Sequence, residues 1–291
     1  MLKTMEDKHG FFVSKPEQEV KDFIESFGLC QKSSWIGGSN PKQIDIKIEE
    51  LKLMIEFNGL IWHCEKNPRI YPKYHLDKTL VAKEAGYRLI HIFEHEWDQR
   101  NQQVKSYLRS ALGKNERYVS ARDTEFVELT KEETDEMLNN YHILGKCQYS
   151  FAYGLKKDGE LLCLVTFGKH HRGKDELVLS RYVGKENVSV VGGLSKLTKN
   201  AFKIHGKFTT WVDLRFSDGS NWIKSGWKQM NTLPPDYFYY SPKHHMVISK
   251  QSRKKDIVNT PEEVTEHEHA LIDGLVRIYD CGKIKLEYTG V

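Results

Sequence analysis

The chain has 291 residues, with 44 Lys and Arg against 40 Asp and Glu and a formal charge of +4, a mild excess that permits a nucleic-acid partner without demanding one. This length favours two ordinary domains, each able to bury its own core. Five widely spaced cysteines with no Cys-x-x-Cys pair exclude a disulfide framework and fit a reducing compartment. No apolar run approaches the roughly 18 residues of a membrane span, and the start lacks a signal-peptide core, so a soluble intracellular protein is expected.

Ser14 followed by Pro16 and Glu17 marks a helix start, Val20, Phe23, Ile24 and Phe27 continue it at helical spacing, and Gly28 stops it. Ile44, Ile46 and Ile48 then alternate with Asp45, and Leu53, Ile55 and Phe57 alternate with Glu56 and Asn58, as expected of two strands. If Glu49-Glu50 turns the chain back, Asp45, Glu56 and Asn58 share one polar face of an apolar hairpin. Two carboxylates held that close repel, and a hard divalent cation is the usual reason to keep them together. Each alone is equally an ordinary solvated strand residue; the metal reading rests on their combination.

A second helix opens at Tyr74-His75-Leu76-Asp77-Lys78 and ends near Gly86, a strand covers Tyr87 to Phe93, and a third helix runs from Glu94 to about Leu112. Lys114-Asn115-Glu116 is polar and aperiodic, placing a boundary between domains at 1–115 and 118–291. Beyond it, a helix opens at Lys131, Tyr149 to Phe167 forms two strands joined at Asp158-Gly159, and a helix spans Leu194 to Ile204 after Gly192-Gly193. Lys207 to Leu214 is strand-like, Asn221 to Ser225 is a short helix, Tyr237 to Tyr240 is an aromatic strand, and past Lys243 the pattern loosens into a basic stretch, Lys250 to Lys255. Both halves read as α/β.

Phosphodiester hydrolysis needs a metal to polarise the phosphate and activate water, and a group to assist the leaving oxygen. Asp45 and Glu56 could hold the metal, Glu17 could project a third carboxylate, and His63, His75 or Lys78 could supply the cation that Asn58 cannot.

At these residues the chain resembles a known family. Ser14-Lys15-Pro16-Glu17, Asp45-Ile46, Glu56 to His63, Tyr74 to Lys78 and Leu89 to Trp97 look like phage-encoded homing endonucleases related to very-short-patch-repair endonucleases, over about residues 12–112. The resemblance implies a PD-(D/E)xK-type nuclease fold that cleaves double-stranded DNA with magnesium or manganese. Carried over by position, Asp45 and Glu56 would be metal ligands, with Glu17, His63, His75 and Asp77 as further catalytic residues. The chain departs from the repair-enzyme pattern at Phe57 and Asn58, which argues against a mismatch-nicking role. The second half looks like a GNAT-type acyltransferase at Asn221 to Trp227, and Val190 to Lys196 sits where a pyrophosphate-cradling loop would precede a helix.

The expected architecture is therefore a nuclease domain followed by a GNAT-like α/β domain that engages DNA. Asn58, Lys78, Lys169, Arg172, Lys196 and Arg215 are its candidate DNA contacts, and no other cofactor is expected. Double-strand cleavage by one active site needs a homodimer or two nicks, and a phage-encoded enzyme would work in the host cytoplasm. Two alternatives stand beside this. One is an acyltransferase or base-modifying enzyme using the second half while the first binds DNA; the other is a nuclease-like domain that binds DNA without cutting it.

Overall fold

A computed structural model describes residues 4–6, 12–37, 41–170 and 176–290. Two short strands, β1 (Thr4–Glu6) and β2 (Phe12–Ser14), pair antiparallel ahead of α1 (Lys15–Glu25). Ser14 caps α1 by accepting from the Glu17 amide, and Pro stands in the first turn, as read from the sequence. Strands β3 (Lys32–Ile36), β4 (Lys42–Ile48) and β5 (Leu53–Asn58) follow. A 3-10 turn at Glu49–Leu51 closes the β4–β5 hairpin, with Lys52 in the left-handed region at φ 48°. Helix α2 (Tyr74–Glu84) carries the chain over to β6 (Arg88–Phe93), which lies parallel to β5 and completes a sheet of order β3-β4-β5-β6. Every residue of β5 is buried, because a central strand is covered on both faces.

The helix expected from Glu94 to Leu112 is two helices, α3 (Glu94–Gln99) and α4 (Asn101–Ala111), broken at Arg100, whose φ of −132° is not helical. The chain continues through β7 (Arg117–Ser120), β8 (Glu125–Glu128), α5 (Lys131–Tyr141), β9 (Phe151–Lys157), β10 (Glu160–Lys169), β11 (Leu177–Gly184), β12 (Val188–Val191), α6 (Gly193–His205) and β13 (Phe208–Asp213). A capping box formed by Thr130 and Glu133 starts α5. Asp158, at φ 51°, and Gly159, at φ 81°, make the hairpin turn read from the sequence. Helix α7 (Ser220–Lys224), β14 (Trp227–Leu233), β15 (Tyr237–Ser241), β16 (Met246–Ile248), α8 (Lys255–Val258), α9 (Glu266–Ile272), β17 (Val276–Tyr279) and β18 (Lys283–Tyr288) complete the chain.

These elements form two compact units that are not consecutive in sequence. Unit 1 gathers Met1–Gln99, Asp213–Ser217 and Pro234–Lys283, and unit 2 gathers Arg100–Val212, Asp218–Leu233 and Ile284–Val291. This differs from one linear boundary near residue 115. Leu60, Cys64 and Phe93 pack with Tyr240, Val276 and Ile278 in one apolar cluster of unit 1, so the late segment shares the core of the first. Unit 2 is built on a seven-stranded sheet of order β14-β18-β13-β11-β10-β9-β8. Its one parallel register given, β11 with β13, is bridged by α6, as a parallel neighbour requires a crossover. Among the described residues, no helix is long and apolar enough to cross a membrane.

Candidate functional site

In unit 1 the register Ile46↔Ile55 sets Asp45 beside Glu56 across β4 and β5, so the expected convergence of carboxylates occurs. Asp45 Oδ2 accepts the Phe57 amide at 2.9 Å. Glu56 is buried and its Oε1 accepts from the Lys78 ammonium of α2, while its Oε2 has no hydrogen-bond partner. Glu17 of α1 pairs with Lys21 one turn later at 2.9 Å. Burial and the Asp45 charge push Glu56 up to about 8, against the pull of Lys78. The same two causes raise Glu17 to about 7, with Lys21 opposing. Asp45 is raised by burial, which outweighs Lys78, the Phe57 amide and Lys21. Burial lowers the Lys78 ammonium, but Glu56 and Asp45 more than reverse it and hold the group charged.

Beside the carboxylates lies a chain of buried rings. His63 Nδ1 meets His75 Nε2 at 2.8 Å, and the two rings stack at 5.1 Å between centroids. His91 on β6 bonds Thr79 Oγ1 at 2.9 Å and Asn58 Nδ2 at 3.3 Å. Burial first, then neighbouring histidine and Lys78 charges, drive His63 and His91 well below the usual imidazole range. His75 falls to about 3 through burial and Lys78. All three are neutral at pH 7, a poor condition for donating a proton to a leaving group.

The structure thus brings Glu17, Asp45, Glu56, Lys78, His63 and His75 into one region, and leaves Asp77 apart, accepting from Tyr71 Oη at 2.7 Å. Asn58 is fully buried and donates to the Ile92 carbonyl at 3.4 Å; Lys78 is buried against Glu56. Neither faces a DNA phosphate. Arg215 is likewise buried, bonded to Glu96 at 2.8 Å and to Asp213 at 3.1 Å. Lys196 donates to the carbonyl oxygens of Ala121, at 2.8 Å, and Thr124. Lys169 is exposed, and Arg172 lies outside the described residues. Sequence reading missed Lys21, Thr79 and His91; only Lys21 had a signal, its four-residue spacing from Glu17.

Unit 2 carries a different feature. β11 and β13 pair in parallel at Val178↔Thr209 and Leu179↔Thr210. The register between β10 and β11 shifts at the next step, from Phe167↔Leu179 to Thr166↔Arg181, leaving Ser180 as the extra residue of a bulge. A bulge bends its strand, and the β11–β13 pairing ends there. The carboxyl ends of two parallel neighbours are where open α/β sheets bind ligands. Helix α6 lies in the connection between these two strands. Gly192, at φ 78°, provides no side-chain cap, and a Cβ at Gly193 would stand 3.1 Å from Val190 and 3.4 Å from Cys163 Sγ. The first amides of an α-helix lack intrahelical partners, and no side chain caps those of α6. Tyr182 of β11 and Trp222 of α7 stand with ring centroids 6.3 Å apart, and Trp222 packs on Trp227 at 5.2 Å.

No family model matches the chain, and no curated protein matches it. Solved structures do, over 57% of this chain. One is a Bacillus subtilis acetyltransferase in complex with CoA, with 12% identity, 97% of that chain covered and a TM-score of 0.31. Another is the Escherichia coli ribosomal-protein-S18-alanine N-acetyltransferase, with 9% identity, 92% covered and a TM-score of 0.33. A third is a GNAT family acetyltransferase from Elizabethkingia anophelis with acetyl-CoA bound, with 13% identity, 98% covered and a TM-score of 0.29. Likenesses this distant describe part of a fold and carry no argument about activity.

The expectation of a magnesium- or manganese-dependent DNA endonuclease of the homing type is corrected by these observations. The solved structures named above are acetyltransferases and none of them is a nuclease, a likeness of fold alone. Among the described residues, no group of three or more His, Cys, Asp or Glu is placed to hold a metal ion. The physical reason lies in the cluster: Lys78 occupies the Glu56 carboxylate and Lys21 the Glu17 carboxylate, so ammonium groups balance the charge that a cation was expected to balance.

Proposed function

We propose that unit 2 is an acyl-transfer module whose acyl donor, a coenzyme A thioester, lies between the parting strands β11 and β13. The observation that carries this is the end of their pairing at the Ser180 bulge. The GNAT-type signals read from the sequence, the loop before a helix at Val190 to Lys196 and the helix-then-Gly-aromatic element at Asn221 to Trp227, fall in unit 2 at the β12–α6 and α7–β14 junctions. The residues fit such a donor: α6 starts at the exposed Gly192 with no side-chain cap, a helix start suited to a pyrophosphate, and the β11 edge beyond Leu179 is released from β13 to meet an amide-bearing arm. A bound donor supplies the activated acyl group. The chain's part is to bind and orient it along β11 and to cover it with Tyr182 and Trp222. Incubating the protein with acetyl-CoA and a pool of primary amines, with mass spectrometry of the products, tests this reading. Acetylated amine above the enzyme-free background supports it, and background levels throughout refute it.

For unit 1, we infer DNA binding without cleavage. Trp62 is 66% exposed, and exposed Lys66, Arg69 and Lys73 follow it in the same loop. An exposed ring with cations beside it suits stacking on bases and contact with phosphates. Gel-shift titration of duplex DNA against Trp62→Ala checks this, and equal affinity of the two proteins would count against it.

A further inference from the structure

A cleft of about 850 Å³ opens in unit 2 between the start of α5, the 146–152 segment and the end of β10. Its acids and bases are Lys131, Lys146 and Lys169 against Glu128 and Asp135. Asp135 is already engaged, by Lys146 at 3.9 Å and by Tyr149 Oη at 3.1 Å. Lys131 and Lys169 are exposed on the rim, and no ion pair is found for either among the described residues, which leaves two ammonium groups facing the cleft with Glu128 as the remaining acid.

One wall of this cleft lies against the bulge of β11. Gly168, which lines it, carries no side chain where a Cβ would stand 3.4 Å from the Gln148 carbonyl and 3.6 Å from Ser180 Oγ. Any larger residue at 168 would fill the space between cleft and bulge. The loop on the other side is held in place by Arg181, whose guanidinium donates to the Gly145 carbonyl at 3.4 Å and to the Ser180 carbonyl at 2.9 Å. A cationic cleft walled by the strand next to the one along which an acyl group would lie is placed to receive an acceptor.

We propose that this cleft admits the acyl acceptor, an amine that also carries a carboxylate or phosphate, with Lys131 and Lys169 recognising the anion beside the β11 bulge. The proposal rests on the acyl-transfer reading of unit 2. It is tested on the full chain by calorimetric titration with O-phosphoserine, glutamate and neutral serinamide, beside a separate titration with acetyl-CoA. Binding of one or both anionic amines, at least about tenfold tighter than serinamide and weakened about tenfold in the Lys131→Ser/Lys169→Ser double variant, is the expected result, since charge-assisted bonds are the strong ones. If phosphoserine alone binds the acceptor is a phosphate, and if glutamate binds as well a carboxylate suffices. Serinamide binding as well as the anions do, or a double variant that binds as the parent does, overturns the proposal. Acetyl-CoA binding with no anion binding also overturns it while leaving the donor site standing. Anion binding with no acetyl-CoA binding removes the acceptor role along with the acyl-transfer reading.

Discussion

The two units place polar groups in opposite ways. Unit 1 buries charge and closes it, with Glu56 on Lys78, Glu17 on Lys21 and the Asp45 carboxylate on the Phe57 amide. Unit 2 leaves the start of α6 without a side-chain cap and ends the β11–β13 pairing at Leu179. A cluster of titratable residues is therefore a weak guide to where a ligand goes when each charge already has a partner. The stronger guide here is a place where regular pairing stops.

The largest effect that can break this comparison is in unit 1. Lys78→Met leaves Glu56 and Asp45 buried without their shared cation, and should cost about 3–5 kcal/mol. Urea unfolding followed by circular dichroism measures it, and a loss below about 1 kcal/mol would mean that the cluster is solvated rather than closed.

Next in size is Gly192→Val. A β-branched residue resists φ 78° and would crowd the start of α6. Acetyl-CoA affinity should fall at least about tenfold, near 1.4 kcal/mol, and a variant binding as tightly as the parent would place the donor elsewhere.

A smaller effect is pH dependence. Burial and the Asp45 charge raise Glu17 and Glu56 in the folded state to about 7 and about 8, well above the ordinary glutamate range. The folded state therefore holds protons that the unfolded chain has released, and this contribution to stability falls as pH rises from about 5 through about 8. The three histidines act in the opposite sense. Their folded values are depressed, so their contribution is present above about 6.5 and is lost as pH falls towards about 3 for His75. Stability of unit 1 should peak between these limbs. Thermal melts from pH 5 to 9 should show the alkaline decline in the parent and a shallower one in Glu56→Gln; equal slopes would remove Glu56 as its source.

Much of this fold was legible. Ser14 before Pro16 gave the start of α1, isoleucine alternation gave β4, and Asp158-Gly159 gave the β9–β10 turn, because each depends on neighbours in sequence. The grouping of Asp45, Glu56, His63, His75 and Lys78 was legible for the same reason. What they do to one another was not: whether Lys78 reaches Glu56 or solvent depends on how α2 lies on the sheet. The late segment, which packs Tyr240, Val276 and Ile278 around Phe93, left no local sign of its partner. Nor did the Ser180 bulge, a property of register between β10 and β11.

Calorimetric titration of the full chain with acetyl-CoA tests the donor site most directly. Saturable binding in the micromolar range is the predicted result. No detectable heat at about 100 µM protein, with the chain shown to be folded, would contradict it.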